Sequence, residues 1–150
     1  MVRAKGPALG LIALLVLGAA AAALAHGRGV SLRVMVVSTD PEGEGDDPGC
    51  GGLRRQLGPM RVGRMHMLEQ RNFVLRFGEV GAVTLPAGGV VRLIPIGIHA
   101  QRLHMQLQMP GQVDTRVQMP AGRAVIVGGA RYGRGHLIVR IIPYFQPESP

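Results

Sequence analysis

Residues 101–119 read QRLHMQLQMPGQVDTRVQM, and their alternation decides the fold. In an extended strand, successive side chains point to opposite faces. Leu103, Met105, Leu107 and Met109 therefore share one face, with Arg102, His104, Gln106 and Gln108 on the other. Beyond Pro110-Gly111 the pattern resumes, with Val113, Thr115, Val117 and Met119 set against Gln112, Asp114, Arg116 and Gln118. This is a hairpin with one face for a core and one for water. A two-residue loop at Pro110-Gly111 would pair Met109 with Gln112 and Leu107 with Asp114, apolar against polar. A three-residue loop pairs Met109 with Val113, Leu107 with Thr115, Met105 with Val117 and Leu103 with Met119. Because a slip of one residue flips every side chain, the apolar pattern selects the three-residue loop.

Working outward, further strand signals lie at 30–38, 62–69, 72–77, 82–85, 90–98, 123–127 and 136–142. Turn residues separate them at Gln70-Arg71, 78–81, 86–89, 120–122 and 128–135. Pro95 removes a ladder donor from the 90–98 segment and marks an edge or a bulge. Residues 124–127 and 137–139 are apolar on both faces and read as central strands. Leu53 and Leu57 at i, i+4 in GGLRRQL predict a short helix over 51–57, ending at Gly58-Pro59. The fold class is all-β and mainly antiparallel, a small sandwich or barrel of about seven to nine short strands with that one helix.

The N-terminus reads as an address. Arg3 and Lys5 precede a small and apolar run over 8–25, and Ala23-Leu24-Ala25 satisfies the small-x-small cleavage rule. The run is short for a membrane anchor and rich in Ala, which favours a cleaved signal peptide over 1–25 and no stable membrane span afterwards. The expectation is an exported protein, periplasmic or extracellular, with a single β-rich domain over 26–150. Its one cysteine, Cys50, allows no internal disulfide, so packing alone must hold the fold.

The chain carries 17 Lys and Arg against 9 Asp and Glu, and Lys5 is its one lysine. The excess of arginine points to an anionic envelope component or an acidic envelope protein as partner. Export makes nucleic acid an unsuitable partner. The competing reading is codon bias, since the arginines are scattered.

Little supports catalysis. The few Ser and Thr hydroxyls sit in no nucleophile-elbow pattern, no phosphate-binding glycine motif opens a helix, and no thiolate cluster exists. Five carboxylates crowd into DPEGEGDDPG at 40–49, but a calcium loop would need a Glu where Gly51 stands. That stretch is expected to be a solvated, mobile acidic loop. The candidate binding residues are Arg131, Tyr132 and Arg134 in the glycine-rich loop GGARYGRG (128–135), where guanidinium forks and backbone N–H groups suit an anion. Arg102 and Arg116 on the polar face of the hairpin join them. No cofactor is required by this reading, in which the protein is a non-catalytic binding or assembly module.

The alternative is copper. Cleavage after Ala25 would leave His26 at the terminus, where its α-amine and imidazole chelate one cation; His99, His104 or His136 would add a second imidazole, a set suited to Cu(II). His26-Gly27 after a signal peptide resembles the start of copper monooxygenases that cleave polysaccharides. A terminal His on a small sandwich is similar to periplasmic copper carriers. The resemblance covers those two residues and implies a copper site built on His26. Met65-His66-Met67 and His104-Met105 offer thioethers, but strand neighbours point to opposite faces, so core filling is the expected role of these methionines.

Overall fold

The computed structural model describes residues 29–146 apart from Ala87, Pro110 and Gln112. The expected signal peptide over 1–25 and His26 lie outside the described residues. The elements are β1 (Gly29–Asp40), α1 (Gly51–Leu57), β2 (Arg64–Arg76), β3 (Gly81–Thr84), β4 (Val90–His99), β5 (Arg102–Met109), β6 (Val113–Pro120), β7 (Val125–Tyr132) and β8 (Gly135–Tyr144). They form two four-stranded antiparallel sheets in the orders β2-β1-β8-β7 and β3-β4-β5-β6. The all-β expectation holds, and the architecture is a sandwich.

The hairpin register is the expected one. Met109 pairs with Val113, Leu107 with Thr115, Met105 with Val117 and Leu103 with Met119. Leu103, Met105, Leu107 and Met119 are buried between the sheets with Val91 and Leu93 of β4. From the opposite sheet they meet Val30, Leu32, Val34 and Val36 of β1 and Leu137, Val139 and Ile141 of β8. Burying a side chain of this size contributes about 2 kcal/mol, so this layer dominates the stability. Met105, Met109 and Met119 of the hairpin are spent on packing, as expected.

A second, smaller cluster lies on the outer side of the first sheet. Met35 and Val37 of β1, Met65 of β2 and Ile138 of β8 pack under Cys50 and Leu53 of α1. The last half of β1 is therefore buried on both faces, which is why 34–37 reads VMVV without alternation.

Three expectations are corrected. Gln70-Arg71 is no turn: residues 64–76 are one strand, with a bulge at Leu68 opposite Val36 and Val37. Its polar residues are accommodated because β2 is an edge strand with a solvated face. Residues 128–135 are mostly strand, leaving only Gly133-Arg134 as the turn between Tyr132 and Gly135. Gly133 has φ 56, the left-handed value a type II′ turn needs at its first central position. A bulge across Gly129 and Ala130 absorbs the remaining glycine. Finally, β8 is central but β7 is an edge. Pro95 sits at a bulge, as expected, with Ile96 as the extra residue.

The β4–β5 turn carries strain. Ala100 and Gln101 have φ 51 and φ 61, between the paired His99 and Arg102. Two L-residues in the left-handed region cost about 1 kcal/mol each, less than the burial of Leu103 and Met105 that follows. Replacing Ala100-Gln101 with Asn-Gly, the pair this turn prefers, is expected to raise stability by about 1 kcal/mol. Urea unfolding of the double variant checks this, and an unchanged midpoint contradicts the strain.

Candidate functional site

The acidic loop is pinned rather than mobile, which corrects the expectation for 40–49. Asp46 accepts two hydrogen bonds from Arg54 of α1, at 2.9 and 2.7 Å, and one from the backbone N–H of Met65 at 3.1 Å. Asp47 accepts from Arg64 and from the N–H of Met67, both at 3.2 Å, and contacts His66 Nδ1. Met65 and Met67 lie on edge strand β2, so the two carboxylates close backbone donors that would otherwise face solvent. Arg54 holds Asp46 below its ordinary pKa, and Arg64 does the same for Asp47. Cys50 is buried beneath the loop, and burial pushes its thiol up, leaving it unreactive.

The arginine-bearing hairpin is joined to this loop. Arg134 donates to Asp40 at 2.8 Å and to Glu42, so its guanidinium is already occupied by two carboxylates. In this arrangement Arg134 faces carboxylates of its own chain. Arg131 stays exposed and, with Pro41, Gly133 and His136, lines a shallow cavity of about 410 Å³ beside Glu42 and Arg134. Tyr132 is half-buried against the core and joins the packing instead of the surface.

The structure places Arg102 and Arg116 on the outer face of the β3–β6 sheet. Strand pairing sets Arg92 beside Gln108, Gln106 beside Arg116, and His99 beside Arg102. Asp114 accepts from Gln106 at 3.0 Å. Among the described residues no helix covers this face, whereas α1 shields part of the outer side of the other sheet.

Of the histidines named for copper, His99 and His104 come together edge to face, with ring centroids 6.0 Å apart. His136 lies at the start of β8, while Gly122, two residues beyond β6, bonds to Pro143 near its end. Pro120 pairs with Arg102 in the same region, so His136 is about a strand length from His99. Among the described residues, no three His, Cys, Asp or Glu side chains gather as a metal-ligand group.

The sequence reading missed two features. One is the use of Asp46 and Asp47 as backbone caps, which the following Arg54 and Arg64 hint at only through charge balance. The other is a cleft lined by Arg55, Gln56, Arg123 and Arg140, from a helix, a turn and a strand. No helix among the described residues is long and apolar enough to cross a membrane. No protein-family model matches the chain, and neither does a curated protein or a solved structure.

The pinned loop has a pH signature. Asp46 and Asp47 titrate below 3.8 when folded, so their stabilisation is complete above that ordinary value. It is lost as pH falls through the lowered folded values. Asp46→Asn with Asp47→Asn keeps an oxygen for the Met65 and Met67 N–H groups while removing the charge. The double variant is expected to melt lower at pH 7, with its deficit holding down to about pH 4 and shrinking as pH falls further, toward about pH 2. Thermal melts across that range check it, and a pH-independent deficit contradicts it.

Proposed function

We propose that this chain is an exported, non-catalytic binding module of the cell envelope that docks an anionic polymer on the outer face of the β3–β6 sheet. The observation that carries the reading is the charge on that uncovered face. Arg92, Arg102 and Arg116 stand on three adjacent strands, and among the described residues of these strands the one carboxylate is Asp114, which Gln106 engages. Arg92 lies opposite Gln108, Arg116 opposite Gln106, and Arg102 begins β5, so an extended polyanion lying along β5 meets guanidinium and amide donors over the length of the strand. The export part rests on the pattern at 1–25. The non-catalytic part rests on the scarcity of nucleophiles and acid/base pairs in the sequence.

Retention on an immobilised anionic polysaccharide is expected to fall steeply with salt. Replacing Arg92, Arg102 and Arg116 with Ser should lower the eluting salt concentration well below that of a control triple at Arg33, Arg61 and Arg76. Equal loss in both triples would show that net charge alone drives retention and would reject the face.

A second reading is periplasmic copper binding by His26 with another histidine. The edge-to-face pair of His99 and His104 favours it, since two imidazoles already stand close together on the strands either side of the β4–β5 turn. Intact mass of the exported protein should then begin at His26, and Cu(II) titration should give a tight site lost in His26→Ala and weakened in His99→Ala. A different start, or no tight site, ends this reading.

A further inference from the structure

We infer that the cleft between α1, the β6–β7 turn and β8 is a binding site for a phosphate-type oxyanion. It lies on the covered sheet and is independent of the docking face proposed above. Its lining residues are Gly52, Arg55, Gln56, Arg123, Ala124 and Arg140, with a volume of about 540 Å³ and no carboxylate among them. The cleft is shallow and open, so an anion held there keeps one side in water.

Arg140 is the anchor. It projects from the outer face of β8, paired with Met35 of β1 and Ile126 of β7, at the margin of the apolar patch under α1. A charge inside HLIVRIIPY is out of place by packing alone, and the structure holds it deliberately. Its Nε donates to Gln56 Oε1 at 3.2 Å, and Nη1 lies 4.0 Å from Met35 Sδ. Gln56 is itself fixed, donating through Nε2 to the Ala124 carbonyl at 2.9 Å. Gly52 makes room: a Cβ there would stand 3.1 Å from both Nη1 and Nη2. The guanidinium plane is thus set from three sides, and among the described residues Nη2 has no hydrogen-bond partner. A planar fork held in this way suits two oxygens of one anion.

Arg55 and Arg123 complete the charge. Arg54 turns to Asp46, while Arg55 faces the cleft from the same helix, and neither Arg55 nor Arg123 is in an ion pair among the described residues. By contrast, Arg64, Arg71, Arg76 and Arg134 all have carboxylate partners. Three guanidinium groups converging without a counter-charge match a tetrahedral dianion better than a planar monoanion carboxylate. The cleft's volume leaves space for the group that bears the phosphate. Free phosphate and a phosphate on an envelope lipid share this chemistry.

The test titrates inorganic phosphate into the ¹⁵N-labelled protein at constant ionic strength, following the Arg140 Nε–H signal. Saturable binding is expected, weakened about tenfold or more in Arg140→Gln, as for loss of a charge-assisted pair. Because Arg140 is half-buried, Arg55→Ser with Arg123→Ser serves as the exposed counterpart, with a comparable loss and an unchanged fold. The Arg92, Arg102 and Arg116 triple should bind phosphate normally, which separates this site from the docking face. Co-sedimentation with phosphatidic acid vesicles, sensitive to Arg55→Ser with Arg123→Ser, would place the phosphate on a lipid; binding of the free ion alone would place it in solution. No saturation below about 50 mM phosphate, equal affinity for acetate, or equal loss in Arg61→Ser would overturn the proposal.

Discussion

The structure depends on β1 being buried on both sides. Its inward residues Val30, Leu32, Val34 and Val36 fill the sandwich, and Met35 and Val37 fill the space beneath α1. A strand apolar on both faces cannot sit at the surface of a two-layer sandwich, so the chain must supply a third layer. The short helix, Cys50 and the acidic loop together are that layer. The loop's charged residues follow from the same demand. Placing a helix over the sheet brings chain past the β2 edge, and Asp46 and Asp47 then satisfy the N–H groups of Met65 and Met67. Packing and electrostatics are therefore one arrangement here.

The two sheets divide the work. The β2-β1-β8-β7 sheet is covered by α1 and Cys50 over Met35, Val37, Met65 and Ile138, and Arg140 with its Gln56 support stands at the margin of that cover. The β3-β4-β5-β6 sheet keeps a bare outer face in which arginine, glutamine and histidine alternate with the core. Arg134 holds the β7–β8 turn to the acidic loop. Arg55, Arg123 and Arg140 line a cleft that has no acid among its lining residues.

Much of the fold was legible because period-two alternation leaves no freedom of register. The pairing of Leu103 with Met119 followed from side-chain identity, and so did the bulge at Pro95. Illegible features were those in which one residue type serves two roles. Gln70-Arg71 resembles a turn, yet an edge strand tolerates polar side chains on its open face. The glycines of GGARYGRG resemble a loop, yet a bulge and a two-residue turn absorb them within a hairpin. The site was harder still. Arg55, Arg123 and Arg140 are far apart in the chain, and only the topology brings them together. The one local hint was Arg140, a charge in an otherwise apolar strand. His99 and His104 shared no sequence pattern, and their meeting depends on the tight turn at Ala100-Gln101.

The pairing of β1 with β8 has a kinetic consequence. Ser31 is matched to Tyr144 and Ser38 to Leu137, so the first strand waits for the last. Contacts of such sequence separation close late and slowly, because the loop between them must be ordered first. On a ribosome, the meander β3 to β6 can assemble from local contacts while β1 still lacks its central neighbour. The covered sheet cannot close until β8 has emerged, so β1 lacks that neighbour for as long as the segments between them are being made.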